Sequence, residues 1–190
     1  MARNGVDNVS DNLPDPESGN VSDSWKQLID AAFEAHTSGR IPEAEVQFKA
    51  ALEEAEKFGE EDQRLALTLN NLAAMYHEQG KYTLAEPLYK RSLDIKTKLL
   101  GDCHADIALN HHNLAVLYSA RRMYPVAEKH YKLALEMTEK LHGSHHRELL
   151  STLSYFAQLM KVQNRLVDRQ LIESRIKEIN EQASPASAKA

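Results

Sequence analysis

The residues with the most chemical capacity in this 190-residue chain are its nine histidines and its single cysteine. Cys103 and His104 stand side by side, and His142, His145 and His146 form a second cluster. Thiolate and imidazole are ordinary Zn²⁺ ligands, but these spacings match no recognised finger, so no metal site and no cofactor are expected. The cluster His104, His142, His145 and His146 with Cys103 reads instead as connector and surface histidine. A thiol nucleophile at Cys103 would need a base in a shaped cavity, and nothing in the pattern builds one. The chain has no phosphate-binding glycine loop, no nucleophile elbow and no carboxylate pair on a shared pocket. Glu53 and Glu54, and the run Glu60, Glu61 and Asp62, read as solvated charge. The expectation is a protein that is not an enzyme.

Composition narrows the class further. No apolar run exceeds five residues, which excludes a helix that inserts in a membrane. The start, Met-Ala-Arg-Asn-Gly-Val-Asp, lacks the apolar stretch of a secretory signal, and a lone cysteine gives no sign of an oxidising compartment. A soluble, cytoplasmic protein is expected. Lys and Arg number 23 against 28 Asp and Glu, a net charge of −5, most of it on residues 1–23. A near-neutral body with an acidic tail is a poor match for nucleic acid, which attracts clustered Lys and Arg. Residues 1–23, with Pro14, Pro16 and no apolar periodicity, read as a disordered acidic tail, and residues 184–190 as a flexible C-terminal tail.

The elements between the tails repeat. Leu72-Ala73-Ala74-Met75-Tyr76 is echoed by Leu114-Ala115-Val116-Leu117-Tyr118 at a shift of 42 residues, and the same shift carries Tyr82, Ala85, Tyr89 and Leu93 onto Tyr124, Ala127, Tyr131 and Leu135. Gly59, Gly101 and Gly143 keep the same spacing of 42. Apolar residues recur every three or four positions, so each unit reads as two amphipathic helices, and a fixed period of this length predicts a solenoid. The units fall at about 24–59, 64–101, 105–143 and 148–182 within a repeat domain of 24–183. Helix A starts near Ser24 (with a capping-box pattern), Arg64, Ala105 and Glu148. Helix B starts near Pro42, Thr83, Pro125 and Leu166. Gly39 and Gly80 mark the turns between them. In the final helix Leu166, Ile172, Ile176 and Ile179 are expected to face inward.

The pattern Leu-x₂-Leu-Ala-x₂-Tyr followed by Gly-x-Tyr-x₂-Ala-x₃-Tyr-x₃-Leu resembles the tetratricopeptide repeat. Its 42-residue form, with the connector Leu100-Gly101-Asp102-Cys103-His104-Ala105-Asp106, is similar to the repeats of kinesin light chains. The resemblance implies an all-α, right-handed superhelix of about four helix-turn-helix repeats with a C-terminal capping helix. It also implies an adaptor or scaffold that binds a partner peptide or protein segment in the concave groove lined by the A helices. Carried over position by position, the groove residues are Lys26 and Phe33, then Asn70, Asn71 and His77, then His112 and Asn113, then Tyr155 and Gln158. Asn71 and Asn113 match groove asparagines that bond a bound peptide's backbone, because an amide offers one donor group and one acceptor. His112, with a pKa near neutrality, would make binding pH-sensitive. The alternatives are a homo-oligomer that uses the solenoid ends, where Trp25, Leu28 and Ile29 would leave an apolar surface, an assembly factor that uses the convex face, or a metal-responsive protein that uses the connector histidines.

Overall fold

Every helical hairpin here turns through the same four-residue device. A computed structural model describes residues 21–182, and among them are eight α-helices and no strand: α1 Val21–Thr37, α2 Ile41–Glu56, α3 Gln63–Glu78, α4 Tyr82–Leu100, α5 Ala105–Ala120, α6 Tyr124–His142, α7 Leu149–Val162 and α8 Leu166–Gln182. At each turn from an A helix to its B helix, two backbone bonds close the end of the A helix. Gly80 N–H donates to His77 O at 2.9 Å and Lys81 N–H to Tyr76 O at 2.8 Å. The same pair recurs at Gly39 and Arg40, at Arg122 and Met123, and at Asn164 and Arg165. This is the Schellman closure, which needs a left-handed residue at its hinge. Glycine fills that place twice, at φ +75° in Gly39 and +72° in Gly80, whereas Arg122 (φ 59°) and Asn164 (φ 57°) fill it in the later hairpins.

Backbone contacts divide the chain into two compact units, one running to Leu99 and the other from Leu100. In the first, Ala73 of α3 and Ala85 of α4 are fully buried, and so is the Tyr89 ring. The missing bulk lets the backbones approach, and the hydroxyl of Ser92 donates across to Ala66 O at 2.7 Å. Trp25 is 2% exposed and its indole N–H donates to Thr68 Oγ1 at 2.9 Å, so α1 is fastened to α3. Trp25 and Ile29 therefore do not form the apolar end surface expected of them; only Leu28 is half-buried. Helix α1 also begins at Val21, so the Ser24 capping-box pattern lies inside the helix rather than at its start.

The second unit repeats the scheme with Ala115, Ala127 and Tyr131 buried between α5 and α6. Leu149, Leu153 and Met160 of α7 and Ile179 of α8 complete its core. Ile172 and Ile176 are half-buried, but Leu166 is 58% exposed, so that position does not face inward. It is the first residue of α8. No helix among the described residues is long and apolar enough to cross a membrane.

In two of the B helices, α2 and α6, a glutamate ties the helix to the next turn. In the first unit Glu45 accepts from Lys49 at 2.7 Å, from the Tyr76 hydroxyl at 3.0 Å and from Lys81 at 3.1 Å. The Lys49 ammonium, together with Lys81 and Tyr76, outweighs the opposing effect of burial and holds this carboxyl at about 2. In the second unit Glu128 bonds Lys132 at 2.8 Å and Arg165 at 2.6 Å, the same positions two repeats on.

The turn yields a direct test. A Cβ added at Gly80 meets nothing within 4 Å, so Gly80→Ala would carry only the cost of left-handed backbone. We expect a loss of about 1 kcal/mol in urea unfolding. Arg122→Gly should be close to neutral, relief of strain being offset by greater freedom of the unfolded chain.

Candidate functional site

The A helices carry nearly all the residues that the resemblance points to, and burial sorts them. In the first unit Lys26 is exposed, and Phe33 and His77 are half-buried. The Phe33 ring sits edge-on to Phe48 of α2 at 5.5 Å, so one side of it belongs to the core. His77 lies 5.5 Å from the Tyr82 ring, and burial pushes its pKa down against the pull of Glu78. Beside it, His36 Nε2 and Glu78 Oε2 are 2.8 Å apart and bridge the ends of α1 and α3. Asn70 and Asn71 show no exposed surface. The carboxamide of Asn71 is unusual: neither Nδ2 nor Oδ1 has a hydrogen-bond partner. An unmade bond on a buried polar atom costs about 1–3 kcal/mol, so this side chain is retained at some expense to the fold.

In the second unit the face is aromatic. His112 stands edge-on to Tyr155 at 5.2 Å and to Tyr131 at 6.1 Å, while Tyr131 stacks on Phe156 at 5.6 Å. His112 Nδ1 is 3.1 Å from Thr152 Oγ1, a bond that joins α5 to α7. Asn113 is 8% exposed, His112 and Tyr155 are half-buried, and Gln158 is exposed. Burial alone drives His112 down to about 4, so it is neutral throughout the physiological range. The expectation of a pKa near neutrality is thus overturned, because the aromatic walls desolvate the imidazole and no acid stands beside it to restore the proton. Burial also raises the Tyr131 phenol to about 12.

Two histidine features were not legible as contacts. His111 Nδ1 and His130 Nδ1 meet at 2.9 Å between α5 and α6, and His130 stacks on Tyr118. One of the two nitrogens must donate and the other accept, so the two Nδ1 atoms are not both protonated. Among the connector histidines, His104 caps α5 by accepting from Asp106 N–H at 3.2 Å. His142 and His146 stack at 4.6 Å, with His142 Nε2 3.0 Å from Glu148. His145 turns instead to Ser144 Oγ at 2.9 Å.

The buried imidazoles make stability depend on pH. A histidine whose folded pKa lies below its unfolded value binds its proton preferentially in the unfolded state, so stability falls as pH drops through that window. For His112 the window runs from 6.5 down to about 4, and His77 and His111 shift in the same direction. Between pH 7.5 and 5 the His112 contribution alone should remove about 2 kcal/mol. His112→Gln should flatten the pH dependence of chemical unfolding; an unchanged slope would refute the assignment.

Comparison with known proteins agrees with this architecture. Tetratricopeptide-repeat family models match residues 31–98 and 112–148. The fold is similar to BtubC (BKLC) from P. vanneervenii, with a TM-score of 0.80 at 23% identity over 88% of this chain and 67% of that one. It is similar also to a Podosopora anserina protein provisionally called a kinesin light chain, with nearly identical TPR-like repeats (TM-score 0.71, 17% identity, 92% and 81% covered). The apo form of RapI matches with a TM-score of 0.76 at 19% identity over 88% of this chain, which spans only 59% of RapI. No curated protein matches the chain at a significant level. With the repeat motifs, the paired helices and the family models in agreement, the chain belongs to the tetratricopeptide-repeat family.

Proposed function

We propose that this protein is a non-catalytic adaptor that holds a segment of a partner protein against its A helices. Binding partner proteins is the general role of tetratricopeptide repeats, and the finer reading rests on the face described above. The observation that carries it is Asn71, a fully buried amide with both of its polar atoms unpartnered. A side chain kept at a cost to the fold is characteristic of a binding position, and an amide is the complement of a peptide unit. Asn113 is the counterpart of Asn71 one repeat on, and Asn70 immediately precedes Asn71 in the chain. Lys26, Phe33, His77, His112, Tyr155 and Gln158 are the partly open groups that would select the partner's side chains. Within each unit such a mixed face suits a short extended or helical segment with an apolar anchor. Reaching Asn71 requires its surroundings to open, so binding would couple to a local rearrangement.

The test pairs stability with binding. Asn71→Ala should change unfolding free energy by less than about 1 kcal/mol, since it removes two unmade hydrogen bonds along with its volume. It should also weaken capture of the partner from source lysate at least tenfold. His77→Ala with Gln158→Ala should weaken capture too, while Glu53→Lys on the B helix α2 leaves it unchanged. A partner held equally by all variants would refute the A-helix reading.

One observation favours a second reading. Val162, Leu166, Val167 and Leu171 are each more than half exposed at the α7–α8 end. Self-association there would appear as a molecular mass that rises with concentration and reverts in Leu171→Glu.

A further inference from the structure

The connector between α6 and α7 carries more than the fold requires of it. Its counterpart one repeat earlier, Leu100 to Asp106, has the same helix-capping arrangement. His104 accepts from Asp106 N–H at 3.2 Å, and His146 accepts from Glu148 N–H at 3.4 Å. The cap therefore explains one histidine per connector. It does not explain His142, which stands where the earlier connector has Leu100. Nor does it explain why His142 turns toward the cap. Gly143, at φ +93°, reverses the chain just past α6 and brings His142 back onto His146 and Glu148. The two rings stack at 4.6 Å, and His142 Nε2 lies 3.0 Å from Glu148 Oε2.

One ligand atom from each of His142, His146 and Glu148 falls within 4.8 Å of the others, and among the described residues no other trio of His, Cys, Asp or Glu does so. We propose that His142, His146 and Glu148 form a binding site for a borderline divalent cation, with Zn²⁺ the best fit. Two imidazoles and one carboxylate are a three-ligand set that leaves a fourth position for water or for a donor from a partner. Zn–N and Zn–O bonds near 2.1 Å put tetrahedral ligands about 3.4 Å apart, so closure needs a shift of about 1 Å and rotation of the rings out of their stack. Exposed side chains can make that movement. The long 3.4 Å bond from Glu148 N–H to His146 is what the rotation gives up.

Neighbouring cations leave room for the ion. Lys140 is paired with Glu136 at 2.7 Å and Arg175 with Glu139 at 2.7 Å. Arg175 also donates to Ser144 O at 2.9 Å, so the connector is already anchored to α8 before any metal arrives. The bound ion would clamp the end of α6 to the start of α7. His145 and Cys103, the other members of the sequence cluster, take no part.

Titration calorimetry with Zn²⁺ on the full chain, purified without a histidine tag in chelator-free buffer, decides the matter. The expected result is saturable one-to-one binding and a rise in melting temperature with Zn²⁺, since only the folded chain presents the trio. His142→Leu, which installs the residue of the earlier connector, and Glu148→Gln should each weaken binding at least tenfold, while Cys103→Ser should leave it within twofold. Circular dichroism of the metal-free variants checks that both are folded, and either one alone suffices for the comparison. Absence of one-to-one binding, binding untouched by both substitutions, or binding lost in Cys103→Ser would overturn the proposal.

Discussion

The close approach of two helices across alanine is the constraint on which the rest of this structure depends. A hairpin of two helices cannot bury both of its apolar stripes by itself, so its stability comes from how closely it packs and from its neighbour. Ala73, Ala85, Ala115 and Ala127 have no exposed surface, their small side chains let packed backbones come close, and Tyr89 and Tyr131 are buried in the same hairpins. A larger residue at any of these alanines would force the pair apart, because interiors packed to crystal density have no slack to absorb it. The turns follow from the same demand. Helices that must lie this close leave no room for a loose connection, and the repeated Schellman closure is the tight solution.

Polar groups then set the register between hairpins. Apolar packing is tolerant of sliding, whereas a hydrogen bond is not. Trp25 to Thr68 and His112 to Thr152 each join one A helix to the next, and Glu45 and Glu128 each reach the basic residue at the following turn. The exposed ion pairs within single helices, such as Lys140 with Glu136, add little to this, since solvent screens them. The joining bonds matter because they are shared between elements that the chain alone does not hold side by side.

This division explains what the sequence reveals and what it conceals. Apolar periodicity locates the helices to within a few residues, and the recurrence of Ala, Tyr and Gly at fixed spacing supports it up to α8, where Arg169 and Glu173 replace the repeated Ala and Tyr. Departures from the repeat are where reading fails. Trp25 looks like an uncapped apolar end because nothing local marks Thr68, 43 residues away, as its acceptor. Leu166 looks like a core residue by type, yet it stands at the first position of α8 and is mostly exposed. Asn70 and Asn71 are recognisable as polar residues on an interior helix, but their burial depends on neighbours that a single helix does not disclose.

The histidines show the same limit from the chemical side. A histidine's type says nothing about its proton affinity, which is set by what desolvates it and what charge stands near. His112, walled by Tyr131, Tyr155 and Thr152, is held neutral, while His104 and His146 serve as helix caps through a ring nitrogen. Counting histidines groups Cys103, His104, His142, His145 and His146 into one cluster. The backbone reversal at Gly143 regroups them, setting His142 and His146 beside a glutamate that the count ignores. In a repeat protein the informative residues are therefore those that break the period. Each position has its own internal control in the neighbouring unit, and a side chain that differs from its counterpart without serving the shared fold is the one whose chemistry needs another explanation.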